Sequence, residues 1–432
     1  MKPIDFVGSL RESIHTFSPP VRSRLDVDFY KFTMGQFIWK YYRDTQVVFK
    51  LIIRDKDIPV AAHISERELR DYLDYVMGLQ FSRTDLYFLR GIDLYDKYMF
   101  KEDYLDYLRT SRLPPYQLKM QDGQIELTFS GSWVDVSPWE TAALAIISEL
   151  YYRSILRDVP AHELEIIYAR AKDKIYSKLE KLLRYPDIRF ADFGQRRRHS
   201  FLWQEWIVGL TKEMMGAQFT GTSNTWMAFH HDLPAIGTNA HELPMVATAL
   251  ADGDEEMRNA QYQVLKDWEG MYGQGLRIML PDTYTSEQFF ANAPAWLASW
   301  RGVRQDSGDS VSRGELYLKW FESHGADPKE KLILFSDGLD VDPMIMLDEY
   351  FHERTNPGHG WGSLFMNDFR GCHTGDELLR PFSMVCKVVE ANGRPCVKLS
   401  DNPTKATGPK DEVERYKRIF GVGEQTAQAV IV

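Results

Sequence analysis

Apolar and polar positions alternate in two rhythms along the chain, and the change comes near residue 185. Before it, Val47-Val48-Phe49-Lys50-Leu51-Ile52-Ile53-Arg54 reads as a strand, and helical spacing runs through 66–77, 83–95 and about 101–110. Residues 1–20 look like an irregular arm ending in Pro19-Pro20. A helix then runs to about Tyr42, with Asp26 or Asp28 as its cap or first-turn acid. The runs 117–120 and 124–129 flank Asp122-Gly123, the turn pair of a hairpin, and 133–136 continues it. Ser137-Pro138-Trp139-Glu140 carries the cap, first-position and third-position signals of a helix start. The helix it opens, to about Leu156, is apolar nearly all round and belongs between layers.

Beyond 185, short β-like runs alternate with helical stretches, and each run ends in polar residues. Run 188–191 leads to Asp192-Phe193-Gly194-Gln195-Arg196-Arg197-Arg198, and 217–220 to Gly221-Thr222-Ser223-Asn224. Run 234–236 leads to Gly237-Thr238-Asn239-Ala240-His241-Glu242, 276–280 to Pro281-Asp282-Thr283, and 302–303 to Arg304-Gln305-Asp306-Ser307-Gly308-Asp309. Run 332–335 leads to Ser336-Asp337-Gly338, and the last is Gly358-His359-Gly360-Trp361-Gly362-Ser363. Between them, 201–215 has Trp203, Ile207, Leu210 and Met214 at helical spacing, with Gly216 as the stop. Polar groups after seven strands suit an α/β barrel, whose active site lies on the C-terminal face of its strands. A doubly wound sheet concentrates them at a switch point instead. The expectation is therefore an irregular α/β barrel. The tail returns to antiparallel β, with 382–390 and 394–399 about an Asn392-Gly393 turn, and its natural partner is the N-terminal β segment. The expected domains are a mixed N-terminal part (1–140), the barrel (141–375), and a C-terminal part (376–432) packing back on the first.

Composition narrows the function. A chain of 432 residues exceeds one ordinary core. Its net charge of −10 argues against nucleic-acid binding, yet leaves room for small phosphorylated ligands in a local basic pocket. Three cysteines without zinc-type spacing point to a reducing compartment. The absence of a signal-like start or a membrane-length apolar run points to the cytoplasm.

The strand ends carry the chemistry. His241 and Glu242 stand between a strand end and the apolar helical run 243–250, where an imidazole can face a crevice, although a lone histidine is more often part of a core. Asp282 can accept from one nitrogen of His241 and fix its tautomer. Phe193 can stack a flat ring while Arg196 pairs with its charge. The glycine turns at Ser336-Asp337-Gly338 and Gly360-Trp361-Gly362-Ser363 can aim backbone N–H groups at a phosphate. Arg304 can face a phosphate as well. Asp306 and Asp309 can accept from sugar hydroxyls or hold hydrated Mg²⁺, and an Asp-Ser-Gly-Asp turn can equally cap a helix. His230-His231 reads as a helix terminus.

Taken in order, DFGQRR (192–197), GTSN (221–224), GTNAHE (237–242), RQDSGD (304–309), SDG (336–338) and KLSDNP (398–403) closely resemble nicotinate phosphoribosyltransferase. The likeness spans almost the whole chain, from Asp28-Phe29-Tyr30-Lys31 to the last hairpin. It implies a type II phosphoribosyltransferase fold and the transfer of a phosphoribosyl group from phosphoribosyl pyrophosphate to nicotinate, giving nicotinate mononucleotide for NAD synthesis. It also implies ATP as co-substrate, Mg²⁺, and a phosphohistidine at His241, with Asp282 and Glu242 beside it as catalytic residues. Implied substrate contacts are Tyr30, Phe193, Arg196, Ser223, Asn224, Thr238, Arg304, Asp306, Ser336, Gly338, Gly360, Gly362 and Ser363, with Asp306 and Asp309 toward Mg²⁺. In this family Tyr30 would come from the other subunit, so a homodimer with shared sites is implied. Nicotinamide-using relatives carry an Asp in the Gly-Thr-Asp turn. Here Ser223 and Asn224 follow Gly221-Thr222, so the turn offers donors and suits an acid over an amide. Rival readings are a nicotinamide or quinolinate phosphoribosyltransferase, or a non-catalytic pyridine-nucleotide sensor.

Overall fold

A computed structural model describes residues 4–428 except 56, 94–96, 122 and 374–376. The helix expected over 83–95 ends at Gly91, where Ile92 turns extended; the Asp122 half of the turn pair and the boundary at 376 lie outside the described residues. Among the described residues, eleven strands occur in chain order: β1 (Gln46–Ile53), β2 (Tyr116–Gln121), β3 (Gln124–Ser132), β4 (Phe190–Asp192), β5 (Phe219–Thr222), β6 (Ile278–Met279), β7 (Gly302–Gln305), β8 (Leu332–Phe335), β9 (Asn356–Trp361), β10 (Met384–Ala391) and β11 (Arg394–Pro395).

They form two sheets that follow the two rhythms. The first is antiparallel, in the order β11-β10-β1-β3-β2. Its central strand β1 pairs with β3 on one side and with β10 on the other, Val47 opposite Ala391 and Ile53 opposite Met384, so both ends of the chain build one sheet. Asn392 and Gly393, at φ 46° and 78°, make the turn that returns β10 to β11. The second sheet is parallel, in the order β5-β4-β9-β8-β7-β6. A single parallel bridge, Thr222 to Ala235, adds the start of the His241 segment beyond β5. Among the described residues no ladder joins that edge to β6.

Several local expectations give way to tertiary contacts. The N-terminal arm contains the helix Phe6–His15, capped by Asp5, because Phe6, Val7 and Leu10 have a core to enter. Residues Trp133–Val136 turn into a short helix instead of extending β3. The Tyr30–Tyr41 helix lacks a side-chain cap, since Asp26 pairs with Arg198 and Asp28 with Arg196. Ser137 does not cap Trp139–Leu156 either; its hydroxyl accepts from the Lys31 ammonium at 3.0 Å. That helix is buried along nearly all its length, as its apolar sequence requires, and it packs against both β10 and the loop after β4. The boundary expected after residue 140 falls inside it. Gly216, at φ 51°, ends Phe201–Met215, and the helix Thr225–His230 ends at the paired histidines. All three cysteines are free and buried. No helix among the described residues is long and apolar enough to cross a membrane.

Candidate active site

The C-terminal ends of the parallel strands open into a cleft of about 1400 Å³, part of it open solvent. Phe193, Gly194, Arg196 and Arg197 enter it after β4, Ser223 after β5, and Ile236, Gly237, Ala240 and His241 after the Ala235 bridge. Arg304 and Asp306 come from β7 and its end, Ser336, Asp337 and Gly338 follow β8, and Gly362 and Ser363 follow β9. Lys387 of the antiparallel sheet, Arg54 beside it, and Lys398 and Lys405 from the segment after it roof the cleft, while Asp28, Tyr30 and Glu140 close one side. Seven cationic side chains (Arg54, Arg196, Arg197, Arg304, Lys387, Lys398, Lys405) therefore face four carboxylates (Asp28, Glu140, Asp306, Asp337). An acidic chain has assembled a basic pocket.

His241 sits at the cleft floor, 4% exposed. Its Nδ1 is 2.9 Å from the Thr283 hydroxyl, and its Nε2 is 3.0 Å from Asp306 and 2.9 Å from the Lys398 ammonium. Nε2 cannot donate to Asp306 and accept from Lys398 together, so two tautomers compete within one geometry. Burial, then Lys398, push the imidazole down to about 4, against the pull of Asp282 and Asp306. At neutral pH one ring nitrogen therefore keeps its lone pair. Asp282 was expected to accept a hydrogen bond from the ring and fix its tautomer. Thr283 holds Nδ1 instead, and Asp282 stands 3.5 Å from Nε2, its Oδ1 without a hydrogen bond and its Oδ2 accepting from Ser307 and Lys398.

The pyridine end expected around Phe193 is also built within one chain. Tyr30, anticipated from a second subunit, lines the same cleft as Phe193 and donates to Glu140 at 3.2 Å. The three consecutive arginines separate. Arg196 and Arg197 face the cleft, whereas Arg198 is wholly buried against Asp26, Gln195, Gln204 and the Pro20 carbonyl. Arg196 keeps a raised pKa, burial being outweighed by Tyr30, Asp28 and Glu140, and Arg197 is lowered to about 10 by burial and by Arg196.

Other expected contacts are occupied elsewhere. The Glu242 carboxylate faces away from the cleft and is held by Lys31 at 2.7 Å and the Trp133 indole at 2.6 Å. Asn224 is buried, capping Thr225–His230 and donating to Asp26, Gln195 and Gln204. Ser223 reaches the cleft but donates to Asp28 at 2.6 Å. Thr238 does not line the cleft; its carbonyl accepts from Thr33 at 2.6 Å. Asp309 caps Ser310–Ser323 and lies outside the cleft. Gly360 offers no cradle: a Cβ there would meet the Phe193 ring at 2.4 Å, so the glycine seats that ring. Trp361 turns away, stacked on Phe365 at 4.2 Å, which leaves Gly362 and Ser363 open to the cleft. Asp28, Arg54, Glu140, Arg197, Asp337, Lys387, Lys398 and Lys405 also line the cleft, without having been given a substrate contact in the sequence.

The family models for the nicotinate phosphoribosyltransferase (NAPRTase) family and for the NAPRTase N-terminal domain match residues 188–424 and 25–148. The chain belongs to the nicotinate phosphoribosyltransferase family. It is an enzyme of NAD biosynthesis. A nicotinate phosphoribosyltransferase structure from Vibrio cholerae is 30% identical with a TM-score of 0.83, covering 95% of this chain and 96% of that one. One from Porphyromonas gingivalis is 29% identical with a TM-score of 0.82, covering 93% and 100%. A putative nicotinate phosphoribosyltransferase from Saccharomyces cerevisiae is 25% identical with a TM-score of 0.82, covering 94% and 99%. The likeness extends over both sheets, so the NAPRTase cleft and its roof are matched together.

Proposed function

We propose that this cleft transfers the phosphoribosyl group of phosphoribosyl pyrophosphate to the ring nitrogen of nicotinate, releasing pyrophosphate, with ATP coupled through a phosphohistidine at His241. The observation that carries this reading is the division of one cavity. A flat aromatic end (Phe193, Tyr30, Arg196) adjoins a cationic end where a neutral imidazole meets Lys398 and Asp306. The pyridine ring lies between the two aromatic side chains with its carboxylate toward Arg196. Phosphates lie against Arg304, Lys398 and Lys405 and the turns at Ser336, Gly338, Gly362 and Ser363, and Asp306 accepts from the ribose hydroxyls.

In the tautomer that accepts from Lys398, Nε2 carries the lone pair and Nδ1–H donates to Thr283. That lone pair forms the bond to the γ-phosphorus of ATP as the bond to ADP breaks. The phosphoryl group then alters the charge beside the pyrophosphate site, and its hydrolysis drives transfer only through the difference in binding between the two states. Glu242 anchors the start of the helix Glu242–Leu250, which follows His241, to Lys31.

Magnesium fits part of the donor set. Asp306 faces the cleft, but Asp309 is spent on its cap, and of the ligand atoms of His241, Asp282 and Asp306, within 4.8 Å of one another, those of His241 and Asp282 already meet the Lys398 ammonium. Mg²⁺ arriving with phosphates would be held at Asp306 and would neutralise phosphate charge. Convergence of six strand ends on one cleft supports an irregular barrel of residues 141–375 beside a mixed domain from 1–140 and 376–432. A homodimer and a cytoplasmic location belong to the same proposal on the family likeness.

Incubation with γ-labelled ATP and Mg²⁺ tests the coupling. An acid-labile, base-stable label on His241, discharged by nicotinate plus phosphoribosyl pyrophosphate, is expected. Nucleotide formation without any label would reduce the protein to a plain transferase.

A further inference from the structure

The Gly221-Thr222-Ser223-Asn224 turn contains no carboxylate, yet the fold brings one to it. Asp28, two residues before Tyr30, is 1% exposed and lines the pyridine end of the cleft. Its Oδ1 accepts from the Ser223 hydroxyl at 2.6 Å. Its Oδ2 lies 3.3 Å from Arg196 Nε, an ion pair outside hydrogen-bonding geometry, and has no other partner. The same guanidinium stands 3.7 Å from Glu140 Oε1.

The two acids differ in their support. Glu140 is met by Lys31 at 2.6 Å, by Lys387 at 3.7 Å and by the Tyr30 hydroxyl. Burial pushes it up, but Lys31, Lys387 and Arg196 together bring it down to about 2. Asp28 has Arg196 as its near cation, with Lys31 farther off, while Glu140 and buried Asp192 add negative charge around it. Burial raises its pKa despite Arg196 and Ser223. Glu140 is the anion built to stay charged at this end; Asp28 is the weakly compensated one.

A nicotinate carboxylate seated on Arg196, with its ring between Phe193 and Tyr30, would be a third carboxylate on one guanidinium. Carboxylates in contact share a proton in preference to ionising together. We infer that nicotinate enters this cleft together with a proton taken up by Asp28, which then donates an O–H to the ligand's carboxylate and sets the choice between acid and amide. The proton comes from solvent to Oδ2, and no covalent bond to carbon changes. Ser223, which was expected to greet the ligand directly, acts here by holding Oδ1. The ionised form of Asp28 accepts instead from an amide N–H, so discrimination against nicotinamide weakens as pH rises. This inference rests on the pyridine site proposed above.

Calorimetry of nicotinate binding to the whole protein at pH 7.5, in phosphate and in Tris, counts the protons exchanged. Uptake approaching one proton is expected for the wild type, with affinity falling by up to about tenfold per pH unit above neutrality. Asp28→Asn keeps the shape and the Ser223 contact; its uptake falls toward zero and its pH dependence flattens. Ser223→Ala removes a bond that favours the anion and shifts the wild-type dependence to higher pH, which gives a second variant should Asp28→Asn fail to fold. Binding without proton uptake by the wild type, or uptake undiminished in Asp28→Asn, overturns the inference and leaves the site reading intact. No heat and no competition by nicotinate in either buffer overturns the site reading itself.

Discussion

Gly360→Ala separates two uses of a glycine turn. A Cβ at this position would lie 2.4 Å from Phe193 Cδ2 and 2.5 Å from Cε2, well inside contact distance. The backbone of β9 cannot yield easily, because Phe190, Ala191 and Asp192 of β4 pair with His359, Gly360 and Trp361. The ring must therefore move into the cleft. Overpacking of this kind costs roughly 1–3 kcal/mol, and the strain falls on the aromatic seat. If nicotinate binding must restore that seat, its KM rises roughly 5- to 150-fold. The KM for phosphoribosyl pyrophosphate changes little, since Gly360 does not line the cleft. Initial rates with each substrate varied at saturation of the other give both numbers, and Phe193→Leu in the Gly360→Ala background is expected to recover part of the nicotinate KM. A raised KM for phosphoribosyl pyrophosphate with that for nicotinate unchanged would refute the reasoning and return Gly360 to a phosphate cradle.

Lys31→Met leaves Glu140 and Glu242 buried without their shared cation and lowers stability by roughly 3–5 kcal/mol; a loss below about 1 kcal/mol in urea titration would contradict the buried network. Asp309→Ala removes two bonds to Ser312 at the start of Ser310–Ser323 and lowers stability by about 1 kcal/mol, with the Mg²⁺ dependence of the rate unaltered; a shifted Mg²⁺ requirement would restore Asp309 as a metal group. His241 is held near 4, below the ordinary histidine value, so its lone pair is already available at pH 6. The rate of label transfer to His241 is therefore expected to stay flat between pH 8 and about 5 with respect to this group, falling only as the ring takes a proton below that. A roughly threefold loss between pH 7 and 6 would show an ordinary imidazole.

The sequence made the strand ends legible because the period changes there and the polar clusters recur at each one. Phe193, Arg196, His241, Asp306, Ser336 and Gly362 all reach the cleft from these ends. The roof was hidden for a physical reason. Arg54 and Lys387 lie on or beside antiparallel strands, where a charged residue in an alternating pattern reads as solvent-facing, and Lys405 lies in a short turn beyond them. Only the second sheet, folding over the first, turns them inward. Asn224 and Asp309 carried two meanings in one place, since each stands before a helix where Asn and Asp serve as caps. The cap geometry took both. Asp282 and Thr283 are neighbours pointing differently, and a difference of one position decided which of them holds Nδ1. Asp28 and Ser223, 195 residues apart, could be joined only by the fold.

The antiparallel roof also fixes the order in which the enzyme can come into being. Its central strand β1 is made early, but the partner that completes it is made last: Gln46 and Asn392, which bond to each other, are 346 residues apart. As the chain leaves the ribosome, Asp282 and Asp337 emerge well before Lys398 and Lys405, the cations that pair with them. Until then the parallel sheet can assemble only with Asp282 and Asp337 lacking those cations, and the distant pairing makes this a late, slow step. Lys398, which also touches His241 Nε2, arrives with that step. A nascent or prematurely terminated chain thus lacks one of the groups that keep the imidazole neutral.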